Sequence, residues 1–179
     1  MPGDTVEKFW LSAGVQYTGP IAGRDSIMVL SLCDSLGFRG GMQVLLRPLE
    51  GEYTNDQLRA QVVSSEQINA YAKSPSEAIT QAMGFITEHA HSQIAGVARP
   101  PVLLCADQHA ERLVRWYFRR FAGFDPFGMG DLPEILSSQW NHTLRYNLPT
   151  EQYIGPAASD IAEAQLRMFL HLREQGAWH

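Results

Sequence analysis

The sequence predicts an α/β fold, a mixed sheet flanked by helices, formed as one domain over residues 1–179. Three observations lead there. Residues 9–20 (FWLSAGVQYTGP) alternate apolar with smaller or polar side chains and break at a Gly-Pro turn, the pattern of a β-strand entering a tight connection. Two more apolar runs, 26–32 and 42–47, follow within the first fifty residues. Helical periodicity then takes over almost to the end, which places helices on a sheet made early in the chain.

Taken in order, Phe9, Leu11, Ala13 and Val15 form the apolar row of the first strand. The second run (SIMVLSL) follows at hairpin distance, and the third (MQVLLR) comes after Gly40-Gly41. Pro48 to Gly51 is a turn. Thr54 and Ser64 are capping residues for two short helices, the second with Ile68 and Tyr71 on one side. Ser74-Pro75-Ser76-Glu77 is a stronger start, with a cap, proline at the first helical position and an acid in the first turn. Ala78, Ile79, Ala82, Met83, Phe85 and Ile86 then recur at helical spacing to about His91. Residues 96–101 lead into a short buried strand at 102–106 (VLLCA).

Residues 107–121 are amphipathic: Leu113, Trp116, Tyr117 and Phe121 share one side, and Arg112, Arg115, Arg119 and Arg120 lie elsewhere as a solvated face. Gly123 closes that helix, and residues 124–128 are a loop. A helix is expected over 131–140, then a polar stretch containing Asn147-Leu148-Pro149. The last helix covers about 156–175, with Ile161, Ala164, Leu166, Met168, Phe169 and Leu172 facing inward and Ala157, Ala158 and Ala162 allowing close packing.

At 179 residues and 45% hydrophobic, the chain is long enough to bury a substantial core. A net charge of −5 argues against holding nucleic acid through bulk positive potential, and leaves room for a local basic face. Cys33 and Cys105 match no zinc spacing and read as buried free thiols of an intracellular, cytoplasmic chain. The first ten residues lack the basic and apolar regions of a signal peptide, and no apolar run is long enough to cross a bilayer.

Thr18-Gly19-Pro20 after the first strand, the strand-then-acid stretch PVLLCADQHAERLVRWYF and the Ala157-x-x-Asp160 start of the last helix come in a recognisable order. Together they resemble the RNase T/DnaQ-like branch of the DEDD 3′–5′ exonuclease superfamily, built on an RNase H-like core, over roughly residues 8–175. That resemblance implies two divalent metals held by acids from three motifs, with a histidine as general base. Residue by residue the motifs are degenerate. Gly14 and Gln16 stand where the first strand should supply Asp and Glu. Glu111 stands where the second motif has Asp, with Asp107 at the position usually held by Asn. Gly155 (or Pro156, one register on) stands where the third has His, and Asp160 is retained. The other histidines (His89, His91, His109, His142, His171 and His179) lie outside the motif.

The expectation is therefore a catalytically inactive exonuclease-like protein that binds single-stranded nucleic acid or a protein partner, with no cofactor and no membrane contact, and with oligomerisation open. Residual metal ligands would be Glu111, Asp160 and Asp107, for Mg or Mn. Nucleic acid would be met by Tyr17, Arg112, Arg115 and Arg119, through stacking and phosphate contacts. Two alternatives stay open. One is an active metal-dependent exonuclease using displaced acids such as Asp25, Asp34, Asp107 or Asp131. The other is a structural or oligomerisation subunit with an empty groove, contacting others through 124–129. Restoring the acids by Gly14→Asp with Gln16→Glu is expected to rebuild part of a metal site.

Overall fold

The computed structural model describes residues 9–34, 41–91, 101–128, 131–149, 154–155 and 157–176. Four strands, β1 (Phe9–Tyr17), β2 (Ile27–Asp34), β3 (Met42–Leu45) and β4 (Pro101–Leu104), form one sheet in the order β3-β2-β1-β4. β1 is antiparallel to β2 and parallel to β4, and β2 is antiparallel to β3, so the sheet is mixed as expected. With partners on both edges, β1 is fixed in place and its first eight residues are buried.

Burial of β1 on both faces follows from its two rows. Phe9, Leu11, Ala13 and Val15 pack with Ala78, Ile79 and Ala82 of α3 (Pro75–His91) and with Leu113, Val114 and Tyr117 of α4 (Gln108–Phe121). On the other face Trp10 joins Val102, Leu104, Trp140 of α5 (Asp131–Asn147) and Phe169 of α6 (Ala158–Glu174). The small residues between them, Ser12 and Gly14, let α6 come close. Two short helices, α1 (Asn55–Ala60) and α2 (Ser65–Tyr71), bridge β3 to α3. Each starts in a reciprocal capping box, Thr54 with Gln57 and Ser64 with Gln67.

Four expectations change. α5 runs on to Asn147 instead of ending near Trp140, because Trp140, Asn141 and Leu144 continue its buried stripe while Arg145 and Tyr146 face outward. β4 stops at Leu104, and the Cys105 amide donates to the Asn141 side chain at 2.8 Å rather than to a strand. The buried ridge of α6 is Ala158, Ala162, Gln165, Phe169 and Leu172, a narrower and more polar line than the apolar count suggested. In the 124–129 loop Phe127 is fully buried in a 3₁₀ turn (Pro126–Gly128) and Phe124 remains exposed, while Met129 lies outside the described residues. Among the described residues no helix is long and apolar enough to cross a membrane.

Candidate functional site

β4 ends beside Ser12 and β1 runs on past it to Tyr17, and the crevice beyond strand carboxyl ends is the usual place for a ligand in an α/β sheet. A cleft of about 570 Å³ opens there. Val15, Gln16 and Tyr17 form its floor, with Gln61, Asp107 and Ala110 on one side and Gly155, Ile161 and Gln165 on the other.

Gly14 and Gln16 occupy the end of β1, and each is committed to packing. A Cβ at residue 14 would overlap the carbonyl oxygen of Ala158 and lie 2.8 Å from the Ala162 amide nitrogen. The α6 backbone thus sits where a side chain would have to stand. Gln16 is buried, and its Nε2 donates to the Gln61 carbonyl at 2.7 Å, tying the end of α1 to the sheet. The expectation that Gly14→Asp with Gln16→Glu would rebuild a metal site is corrected here: residue 14 has no space for a carboxylate.

Of the acids of the other two motifs, Asp107 and Glu111 are already engaged, and Asp160 lies exposed beside Gly155 at the cleft. Asp107 is the N-cap of α4: its Oδ1 accepts from the amides of His109 (2.8 Å) and Ala110 (3.3 Å), and its Oδ2 accepts from the Tyr17 hydroxyl at 2.5 Å. Glu111 pairs with Arg115 one turn on, Nε to Oε1 at 3.3 Å. Asp160 lies in the first turn of α6, exposed, with its carboxylate folded against Gly155: a Cβ at 155 would fall 2.8 Å from Asp160 Cγ. Pro156 lies outside the described residues. Ala157 caps α6 without any side-chain bond.

Among the described residues, displaced acids do not fill the gap. Asp25 sits in the β1–β2 loop, held by the Ile21 amide at 2.8 Å and by Arg24 at 3.2 Å. Asp34 faces Leu11, five residues before Gln16 along β1 and so roughly 17 Å away along the strand, where it approaches His89 at 3.7 Å. The Asp131 side chain is not among those described. Among the described residues no group of three or more His, Cys, Asp or Glu side chains converges on one point. A pair of hard dications needs several carboxylate oxygens aimed at one place. A glycine, an engaged amide, a helix cap and an Arg-paired Glu do not fit that need. Cys105 supplies no thiolate in place of them, since burial pushes its thiol well above the usual range and the nearby Glu111 and Asp107 push it further.

The arginine face also changes. Arg115 is buried; its guanidinium reaches Glu111, Asp125 (3.0 Å) and the Ser137 hydroxyl (2.7 Å), locking α4 to the following loop and to α5. Its expected contact with nucleic acid is corrected to this internal role, because three partners hold it beneath the surface. Arg119 shares Asp125 at 3.0 Å and remains largely exposed, as do Arg112 and Arg120. Tyr17 closes β1, half-buried, with its hydroxyl on the α4 cap. Gln165 was missed by the sequence reading: its Oε1 accepts from the Ala106 amide (2.9 Å), and its Nε2 donates to Ser12 Oγ (3.1 Å) and to the Ala13 carbonyl (2.8 Å). A glutamine set within the Ala158–Ala162–Phe169–Leu172 stripe was the available signal.

No protein-family model and no curated protein matches the sequence. Among solved structures, Escherichia coli exonuclease I in complex with a dT13 oligonucleotide superposes at a TM-score of 0.64 with 8% identity, over 96% of this chain and 42% of that one. The zinc-bound exonuclease I–single-stranded DNA complex gives 0.58 at 10% identity, over 95% and 40%. Cell-death related nuclease 4 gives 0.59 at 11% identity, over 94% and 64%. The chain therefore spans about two fifths of the exonuclease I chain. At such identities the likeness is one of fold, and the fold of this chain is the α/β RNase H-like fold, a mixed four-stranded sheet between helices, that these exonucleases also have.

Proposed function

We propose that this chain is a non-catalytic exonuclease-like module that holds single-stranded nucleic acid without cutting it. The observation that carries the reading is the contact of the α6 backbone with Gly14, where the first catalytic carboxylate of such a nuclease would sit. Loss of the acid and loss of its space go together. Gln16, Asp107 and Glu111 are each bound to protein groups instead of standing free for cations.

Binding without cleavage needs a basic, aromatic-bearing track, and α4 supplies one. Arg112, Arg119 and Arg120 are exposed on it, with Trp116 half-buried between them and Tyr17 at its N-terminal end. Single strands bind to such surfaces through phosphate contacts and base stacking. The solved exonuclease I complexes contain single-stranded oligonucleotides, which supports the choice of probe.

The test uses purified protein, a labelled oligothymidylate, and magnesium or manganese. Retention that weakens with salt, with the strand left at full length, is the expected result. Arg112→Glu with Arg120→Glu should lower the magnitude of the salt slope by about 0.7 per lost phosphate contact. Stepwise shortening of the strand by rigorously purified protein would overturn the non-catalytic assignment, and indifference to the strand would overturn the nucleic-acid assignment. Titration calorimetry with manganese should give no tight site.

A further inference from the structure

Helix α5 buries Trp140, Asn141 and Leu144, yet its opposite side presents Leu132, Ile135, Gln139, His142 and Tyr146 to solvent. Leu132 is 62% exposed, Ile135 51% and Tyr146 76%. Single exposed apolar residues on a surface are ordinary; a row of them along one helix is not. The intervals along this row are three, four, three and four residues, the repeat by which one helix meets another along a shared seam. The His142 and Tyr146 rings, 4.8 Å apart, already pack on each other within it.

The charges beside the seam choose the partner and its direction. Glu134 near the start of α5 and Arg145 near its end lie on the same flank of the row, and both are exposed. The Arg145 Nε is anchored to the Ala106 carbonyl at 3.3 Å, which holds the guanidinium on that flank. A second copy laid parallel would set the two Glu134–Arg145 flanks on opposite sides of the seam, with no opposite charge facing either. A second copy laid antiparallel sets each Glu134 near Arg145 of the partner subunit and opposes the two helix dipoles. With the twofold axis at Gln139, Leu132 meets Tyr146 of the partner subunit and Ile135 meets His142 of the partner subunit. Gln139 then faces its own copy, where a polar residue in an apolar seam fixes register.

We propose that this seam is a self-association face, through which two copies of the chain pair by antiparallel packing of α5 about Gln139. The row spans about 21 Å of helix. That puts the interface at the small end of specific contacts, the range of weak, reversible association. The inference is independent of the nucleic-acid reading.

Sedimentation velocity over a range of concentrations should show a reversible monomer–dimer equilibrium. Ile135→Glu, at an exposed position, should weaken it at least tenfold while leaving the melting temperature of the dilute monomer unchanged. Glu134→Arg should weaken it, and adding Arg145→Glu should restore it. Under oxidising conditions Gln139→Cys should cross-link to itself and Leu132→Cys should not. A monomer at all concentrations overturns the proposal, as does a dimer indifferent to Ile135→Glu. Equal self-cross-linking of Leu132→Cys and Gln139→Cys, or association of α5 with a different protein in place of self-pairing, overturns it too.

Discussion

Gly14→Ala adds one methyl group at the point where α6 touches β1. The new carbon would overlap the Ala158 carbonyl oxygen and stand 2.8 Å from the Ala162 nitrogen. Both are backbone atoms, so no rotamer change relieves the overlap. β1 is paired to β2 and β4 on its two edges and cannot withdraw. α6 has to lift instead, by roughly 1.5 Å to reach normal contact. That lift stretches three buried hydrogen bonds: Ser12 Oγ to the Ala162 carbonyl (2.7 Å), Gln165 Nε2 to the Ala13 carbonyl (2.8 Å) and the Ala106 amide to Gln165 Oε1 (2.9 Å).

Each weakened bond costs about 1 kcal/mol, and overpacking itself typically costs about 1–3 kcal/mol. The lower entropy of an unfolded chain with alanine in place of glycine offsets roughly 0.4–1 kcal/mol. The net loss is about 3–5 kcal/mol, a large share of the roughly 5–15 kcal/mol that holds a typical domain folded. Urea denaturation measures it through the midpoint at unchanged slope. Gly84→Ala is the control, since a Cβ there meets nothing within 4 Å and the residue lies on the exposed side of α3. It should be neutral or stabilising by up to about 1 kcal/mol. If Gly14→Ala unfolds within about 1 kcal/mol of the parent, α6 does not close the site, and the account of the lost carboxylate fails with it.

Two further outcomes follow from other parts of the structure. Stability should fall from about pH 9 upward. Burial raises the Cys33 thiol from 9.0 to about 12, with Glu163 and Asp34 adding to the shift. Burial likewise raises the Tyr117 hydroxyl from 10.0 to about 12, and it raises Cys105 and Tyr53 in the same direction. Between the unfolded and folded values the unfolded chain releases protons that the folded chain keeps, so each step up in pH favours unfolding. A melting temperature that stays level from pH 8 to about 10.5 would contradict this. Asp107→Ala removes the cap from His109 and Ala110 and the acceptor from Tyr17, and should cost about 1–2 kcal/mol. Asp107→Asn should recover most of the capping share, which thermal melts of the two variants compare directly.

Much of the sheet and the helix starts could be read in advance, because the signals are local. Period-two alternation marked β1, and the capping residues Thr54, Ser64 and Ser74 marked three helices. The extent of α5 was hidden because its last turns carry Thr143, Arg145 and Asn147, which look like loop residues until Leu144 is seen buried behind them. Arg115 was misjudged for a related reason. Its helical position suggests solvent, but Asp125, ten residues away across a turn, draws it under the surface. Pairings that depend on a second element leave no period in the sequence.

The absence of acids at residues 14 and 16 was visible at once; what it meant physically was not. A missing carboxylate alone leaves a vacant pocket open to a nearby acid. The position of α6 removes that option, because the space beside Gly14 is taken by main-chain atoms that no side-chain substitution moves. The Ala162 carbonyl accepts from Ser12 Oγ, and Gln165 of the same helix donates to Ser12 and Ala13, so the close approach is itself bonded in place. Reopening the site would require breaking that lattice and parting a helix from a central strand. Packing at residue 14, and not only the identity of residues 14 and 16, therefore opposes a carboxylate at this end of β1.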